Sequence, residues 1–167
     1  MCIRDRGTTD STNNYLKRLA LDGAEDGTVA VADEQTAGRG RLGRSFQSPP
    51  GTGVYITFLL RPQVMPEKAI NLTACAAVAM CDAVQATCGL RPQIKWTNDV
   101  LLSKRKICGI LTEMSVEGES GALQYIVVGI GAVSYTHLDV YKRQGQTALD
   151  VGAGGAGGAG LGLGQPD

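Results

Sequence analysis

From Gln93 to Gly131 the chain passes through four strand-like stretches, QIKWT, VLLS, KICGILTEMSV and LQYIVVGIG, with only short turns between them. No other feature constrains the fold as strongly. Parallel neighbours need a crossover of roughly a dozen residues or more, whereas a few residues suffice to join antiparallel ones. Lys104-Arg105 and Glu117-Gly118-Glu119-Ser120-Gly121 are the turns, and Glu117 and Glu119 read as solvated turn charges. Upstream lie a strong strand, VYITFLLRP, ended by Pro62, and a short alternating one, VAVAD, after Gly27-Thr28. Two helices are expected. Ser11 or Thr12 caps NNYLKRLALDG, where Tyr15, Leu16, Leu19 and Leu21 make a partial apolar side and Gly23 is the stop. Pro66 opens a longer one, PEKAINLTACAAVAMCDAVQATCGL, ending near Gly89. The fold class that follows is α+β: a mainly antiparallel, mixed sheet with helices on one face.

Two peptides do not match their surroundings, MCIRDR at the start and VSYTHLDVYKRQ at 133–144. Both can be back-translated from one DNA word that is largely its own reverse complement, read in two frames. That word looks like a transposon-end adapter used in sequencing libraries. Residues 1–6 and 133–144 are therefore expected to be adapter-derived and to stand outside the fold. Residues 7–132 are then a partial domain. Residues 145–167 carry nine of the 23 glycines, with Ala and Leu and no periodicity, and read as a flexible tail of separate origin. Leu149-Asp150-Val151-Gly152-Ala153-Gly154 looks like a nucleotide loop of methyltransferases, but Gly/Ala repetition explains it more simply. A chain cut this way is expected to lack enzymatic activity by itself.

Charge narrows the function. Residues 7–132 carry 12 basic and 12 acidic side chains, so nothing global favours a nucleic acid or an anionic membrane. No apolar run is expected to reach the roughly 18 residues a membrane-spanning helix needs, and no signal peptide is visible. Five cysteines without a C-x-x-C pair suggest neither a disulfide framework nor a zinc site, and a cytoplasmic location is expected. The single histidine, His137, lies outside residues 7–132, which excludes His-based triads from that segment.

Three clusters carry chemistry. Gly38-Arg39-Gly40-Arg41-Leu42-Gly43-Arg44 alternates mobile backbone with planar guanidinium forks. Such a loop suits closure over an anionic ligand; an RGG-like nucleic-acid patch or a plain surface loop has the same composition. Lys95-Trp96-Thr97-Asn98-Asp99 ends a strand in a turn, with Lys95 and Trp96 on opposite strand faces. Its carboxylate and amide suit Mg²⁺, which takes one or two protein oxygens beside phosphates; the alternative is a turn with a core Trp. Lys106 begins KICGIL and would otherwise be a solvated turn lysine.

In order, Asp10-Ser11-Thr12-Asn13, Glu34-Gln35-Thr36-Ala37-Gly38-Arg39-Gly40-Arg41, Lys95-Trp96-Thr97-Asn98-Asp99, Lys106-Ile107-Cys108-Gly109-Ile110-Leu111-Thr112-Glu113 and Val128-Gly129-Ile130-Gly131 resemble the catalytic domain of biotin–protein ligases, also called biotin–[acetyl-CoA-carboxylase] ligases. The resemblance covers about residues 8–131 and implies an incomplete biotin/lipoate ligase catalytic domain, class II synthetase-like. It implies ATP-dependent formation of biotinyl-5′-AMP, with Mg²⁺, and transfer to a lysine of a biotin carboxyl carrier domain of acetyl-CoA carboxylase or a related carboxylase. It implies biotin or adenylate contacts at Ser11, Thr12, Asn13, Gln35, Gly38, Arg39, Gly40, Arg41, Lys106 and Gly109. Arg41 and Lys106 would be catalytic. Lys95, Trp96, Asn98 and Asp99 would face ATP, with Asp99 on Mg²⁺. Thr97 stands where the family commonly has Pro, and Ala132-Val133 replaces the family's continuation. A lipoate or octanoate ligase or transferase is the nearest alternative, but its Arg-Arg-x-Ser-Gly-Gly loop is absent. A nucleic-acid-binding loop fits the balanced charge poorly. No DNA-binding or membrane-binding partner is supported.

Overall fold

The structure, a computed structural model, describes residues 2–69 and 71–133. Expectations for residues 134–167, the rest of the second adapter-like peptide and the Gly/Ala tail, lie outside the described residues.

Seven strands form one sheet: β1 (Ile3–Thr9), β2 (Val29–Gln35), β3 (Gly53–Leu60), β4 (Gln93–Lys95), β5 (Asp99–Leu102), β6 (Arg105–Val116) and β7 (Leu123–Val133), in the order β1-β2-β3-β7-β6-β5-β4. Only β1 and β2 are parallel. Their crossover is helix α1 (Thr12–Leu21), as a parallel pair requires. Ser11 caps it, with extended backbone and its Oγ accepting the Asn14 N–H at 3.5 Å. Gly23 follows at φ +86°, a left-handed backbone that favours glycine. Helices α2 (Pro66–Ala69) and α3 (Asn71–Cys88) lead from β3 to β4. Each strand expected from the sequence forms.

The helices do not share a face. Along β7, Tyr125 and Val127 pack with Leu16, Ala20, Ala30 and Leu59 on the α1 side. The alternate residues Ile126, Val128 and Ile130 pack with Ala69, Ala77, Val100 and Ile110 on the α3 side. Successive strand residues point to opposite faces, so α1 and α3 cover opposite faces, and the expectation of helices on one face is corrected. A helix's apolar stripe says that it is covered, not by which side of a sheet; the two-sided apolar content of β6 and β7 decided this.

Two further expectations change. Ile3–Arg6 join the sheet, pairing with Val29–Ala32, although the sequence places them outside the fold. Their side chains are exposed, so the pairing is made by backbone groups, which are the same in any sequence. The stretch Pro66–Cys88 is, by length and composition, long and apolar enough to cross a membrane, contrary to expectation. Here Ala69 and Ala77 are buried, and Leu72, Ala76, Met80, Cys81 and Val84 pack against the α3-side core.

Candidate ligand-binding cleft

On the α1 face, next to the core beneath the helix, the sheet lacks side chains. Gly109 pairs with Gly131 across β6 and β7, and Gly129 lies opposite Leu111. A Cβ on Gly129 would overlap the Asn13 amide, and one on Gly131 would overlap the Phe46 ring. A Cβ on Gly109 would press on Lys106 Cε and Nζ at 3.1 Å. These glycines floor an open cleft of about 470 Å³, part of it continuous with solvent. The residue types matter physically: backbone here approaches its neighbours more closely than any side chain permits.

One wall is a hydrogen-bonded polar chain at the start of α1. The Thr12 N–H and Oγ1 donate to Gln35 Oε1 at 2.9 and 3.0 Å. Gln35 Nε2 donates to Ser48 Oγ at 2.9 Å. Thr57 Oγ1 lies 2.8 Å from both Thr12 Oγ1 and Asn13 Oδ1. Asn13 Nδ2 donates to the Leu111 carbonyl at 3.2 Å and to Glu113 Oε2 at 2.9 Å. Both N–H donors of Asn13 are thereby used, so Asn13 shapes the wall and offers no free donor. Ser11, Thr12 and Asn13 are buried, as are Ser48 and Thr57. A buried polar chain satisfied at each link holds its groups in one arrangement.

The other wall is cationic, and each cation has an internal partner. Arg39 Nη1 lies 2.9 Å from Asn14 Oδ1 and 3.0 Å from Glu113 Oε1. Lys17 Nζ meets the same Glu113 oxygen at 2.5 Å. Burial pushes the Glu113 carboxyl up, but the Lys17 and Asn13 hydrogen bonds and the charges of Lys17 and Arg39 outweigh it, leaving a net lowered pKa. Arg41 Nη1 donates to Thr97 Oγ1 at 3.0 Å and Asn98 Oδ1 at 2.9 Å, tying the Gly/Arg loop to the turn after β4. The Trp96–Thr97 peptide in that turn is cis.

Lys106 reaches the cleft through an irregularity. Strict alternation would put it with Cys108 and Ile110 on the apolar face. A register shift opposite Val100/Leu101 inserts Ile107 as an extra residue, so Ile107 and Cys108 both enter the α3-side core and Lys106 turns to the cleft. Re-aiming a side chain is a recurrent use of such bulges. Lys106 Nζ lies 2.7 Å from Asp99 Oδ1. That oxygen is buried and has no hydrogen bond of acceptable geometry, so the contact is ionic rather than directed. Burial pushes the Cys108 thiol up to about 12, which keeps it protonated at neutral pH and no nucleophile.

Of the residues singled out in the sequence, Ser11, Thr12, Asn13, Gln35, Arg39, Gly40, Arg41, Asn98, Lys106 and Gly109 line the cleft. Gly38, Lys95, Trp96 and Asp99 do not. Gly38 is buried, its carbonyl accepting the Phe46 N–H at 2.8 Å, where a Cβ would overlap the Phe46 carbonyl. Its absence of a side chain closes the loop upon itself. Lys95 ends β4, and Trp96, expected within a strand or core, is 76% exposed beyond the strand end. Asp99 meets the site only through Lys106. Sequence reasoning missed Phe46 in the lining and Thr57 and Glu113 behind it. Thr57 had a legible signal: it stands between Tyr55 and Leu59 in the buried row of β3.

A family model described as "Biotin/lipoate A/B protein ligase family" matches residues 7–132. The bifunctional ligase/repressor BirA of Bacillus subtilis is 41% identical over 121 residues, covering 72% of this chain and 37% of that protein. The biotin–[acetyl-CoA-carboxylase] ligase of Paracoccus denitrificans is 44% identical over 125 residues, covering 74% and 50%. The chain thus spans half or less of these relatives. Among solved structures, the biotin protein ligase of Aquifex aeolicus in complex with biotin and ATP aligns with a TM-score of 0.63 and 28% identity, over 87% of this chain and 62% of that one. The Leishmania major biotin protein ligase in complex with biotinyl-5-AMP aligns with a TM-score of 0.65 and 25% identity, over 78% and 56%. With the five motifs of the sequence in one fold, this chain belongs to the biotin/lipoate A/B protein ligase family.

Proposed function

We propose that the cleft takes biotin and ATP, joins them as biotinyl-5′-AMP, and serves transfer of the biotinyl group to a lysine of a biotin carboxyl carrier domain of acetyl-CoA carboxylase or a related carboxylase, in the cytoplasm. One observation carries this reading: a glycine floor bounded by a fixed polar chain on one side and by Arg39, Arg41 and Lys106 on the other. The biotin, ATP and biotinyl-5-AMP held in the Aquifex and Leishmania complexes support it.

The chemistry suits the residues. A biotin carboxylate oxygen attacks the α-phosphorus of ATP, and the bond to the β-phosphate oxygen breaks, releasing pyrophosphate. Two anions must approach one another, so fixed cations covering both are the main catalytic need. Arg39, Arg41 and Lys106 fill it once they exchange internal partners for ligand oxygens, with Arg41 and Lys106 nearest the reacting groups. Ser11, Thr12 and Gln35 address the polar ring of biotin. The second Gln35 N–H is not committed to Ser48, whereas Asn13, also in the lining, has both side-chain N–H donors engaged. No protein nucleophile is needed; positioning and charge suffice. The mixed anhydride hydrolyses in water, which gives a closing Gly/Arg loop a use.

Asp99 is the carboxylate that fits Mg²⁺ shared with ATP phosphates, its Oδ1 being buried without a hydrogen bond. Mg²⁺ would offset phosphate charge there, and Lys106 would part from Asp99. Asn98, which lines the cleft, is on the ATP side of this reading, and Lys95 and Trp96, outside the lining, would extend it.

The test is biotin-dependent exchange of labelled pyrophosphate into ATP by the full-length enzyme, alongside calorimetric binding of biotin to the 167-residue chain. Binding and exchange that respond to biotin and not to lipoate are expected. A response to lipoate alone would transfer the assignment to the lipoate side of the family.

A further inference from the structure

Glu113 holds two cations at one oxygen. Lys17 Nζ is 2.5 Å and Arg39 Nη1 3.0 Å from Oε1, while Oε2 takes the Asn13 amide at 2.9 Å. The two cations differ in where they belong. Arg39 sits in the Gly/Arg loop and lines the cleft. Lys17 lies on α1, outside the lining, with its side chain 28% exposed. An arginine that must turn to an anionic ligand leaves its carboxylate behind, and an uncompensated, partly buried carboxylate is unfavourable. Glu113 is 19% exposed, less than either partner.

We propose that Lys17 is a positioning residue that acts through Glu113: it is the standing counter-ion that lets Arg39 leave Glu113 for the ligand anion. This rests on the reading of the cleft as an adenylate site. In the empty site Glu113 divides its charge between the two cations. When Arg39 turns to a carboxylate or phosphate, Lys17 stays and Glu113 remains neutralised. Asn13 then keeps its acceptor on Glu113, and the polar wall keeps its shape. Without Lys17, Arg39 would be the only cation on Glu113 among the described residues, and its release would be harder.

The test uses the 167-residue chain and a non-hydrolysable biotinyl-adenylate analogue, with affinity read by calorimetry for wild type, Lys17→Met, Glu113→Gln and the double variant. Lys17→Met should weaken binding about three- to tenfold. In the Glu113→Gln background the same change should have no effect beyond about twofold. A long-range attraction between Lys17 and the ligand would weaken both backgrounds alike, so equal losses overturn the proposal. So does unchanged affinity in Lys17→Met. A second measurement does not depend on Glu113→Gln folding. Nuclear magnetic resonance of the Arg39 guanidinium in ligand-free Lys17→Met should show a more restricted side chain than in wild type, and an unchanged one overturns the proposal. Wild-type chain that binds no analogue removes the adenylate reading itself, and the inference with it. Wild-type binding with an inert Lys17 removes the inference alone.

Discussion

β6 and β7 present two unlike faces from alternate residues of the same strands. Toward α3, Ile110, Ile126, Val128 and Ile130 fill a buried core. Toward the cleft, the alternate positions are Gly109, Leu111 and Glu113 on β6 and Gly129 and Gly131 on β7. One face is made of side chains and the other largely of their absence. The apolar face packs the sheet against a helix, so the glycine face can stay open without collapsing. A strand with alternating large apolar residues and glycine is therefore support and site at once, and damage to either face should have a different signature.

The largest expected effect lies on the supporting face. Ile126→Ala should destabilise the chain by about 2–5 kcal/mol, because Ile126 is fully buried and its removal leaves a cavity. Denaturant unfolding should show a lower midpoint, while affinity of the remaining folded chain for biotin stays close to wild type; an affinity loss as large as the stability loss would show the faces to be coupled. On the open face, Gly129→Ala should behave oppositely. The added methyl displaces Asn13, at about 1–3 kcal/mol for overpacking. Biotin binding should fall more steeply than thermal stability, as parallel calorimetry and melting would show.

Charge on the cleft wall is the next effect. Lys106→Ala and Arg41→Ala should each remove one charge-assisted contact, about 1.5–3 kcal/mol. In the full-length enzyme, Lys106→Ala should weaken biotin binding and adenylation together, with Lys106→Arg only a partial rescue because a fork does not replace a point charge. In the same full-length enzyme, Arg41→Ala should chiefly speed escape of the adenylate, seen as biotinylation of bystander lysines, since Arg41 also ties the loop to Thr97 and Asn98. Wild-type kinetics in Lys106→Ala would return that residue to a turn lysine.

The smallest effect concerns pH. The folded Glu113 pKa is lowered from its ordinary 4.5. Its contribution is complete above that value and is lost as pH falls through the lowered folded pKa. Melting temperature against pH should slope down in acid for wild type and less so for Glu113→Gln. Asp10 adds in the same direction, its carboxyl held low by the Arg18 fork, but solvent screens that pair. Equal slopes in the two proteins would remove Glu113 from the account.

Much of the fold was legible because local signals were strong. Gly23 and Gly89 ended helices with φ of +86° and +68°, and β3 stops at Leu60, two residues before Pro62. The motif residues were legible as a set, yet their geometry was not. β1 was missed, since the side chains of Ile3–Arg6 are exposed and the pairing is made by backbone groups, although Arg6 also donates to the Tyr15 hydroxyl at 2.7 Å. Trp96 was read as part of a strand, but β4 ends at Lys95 and Trp96 stands exposed beyond it. The polar wall was half seen: Thr12, Asn13 and Gln35 were named, while Thr57 and Glu113, which orient them, stand 22 and 78 residues beyond Gln35 in the chain.

By itself the sequence determined the elements, the antiparallel succession from β4 to β7 and the residue types of the cleft, because capping, alternation and turn chemistry act over a few neighbouring residues. Only tertiary structure decided which face each helix covers, that an extra residue in β6 turns Lys106 from core to cleft, and that Glu113 serves Lys17, Arg39 and Asn13 together. Those outcomes depend on pairing register and on contacts between distant segments, where one inserted residue reverses every side chain beyond it.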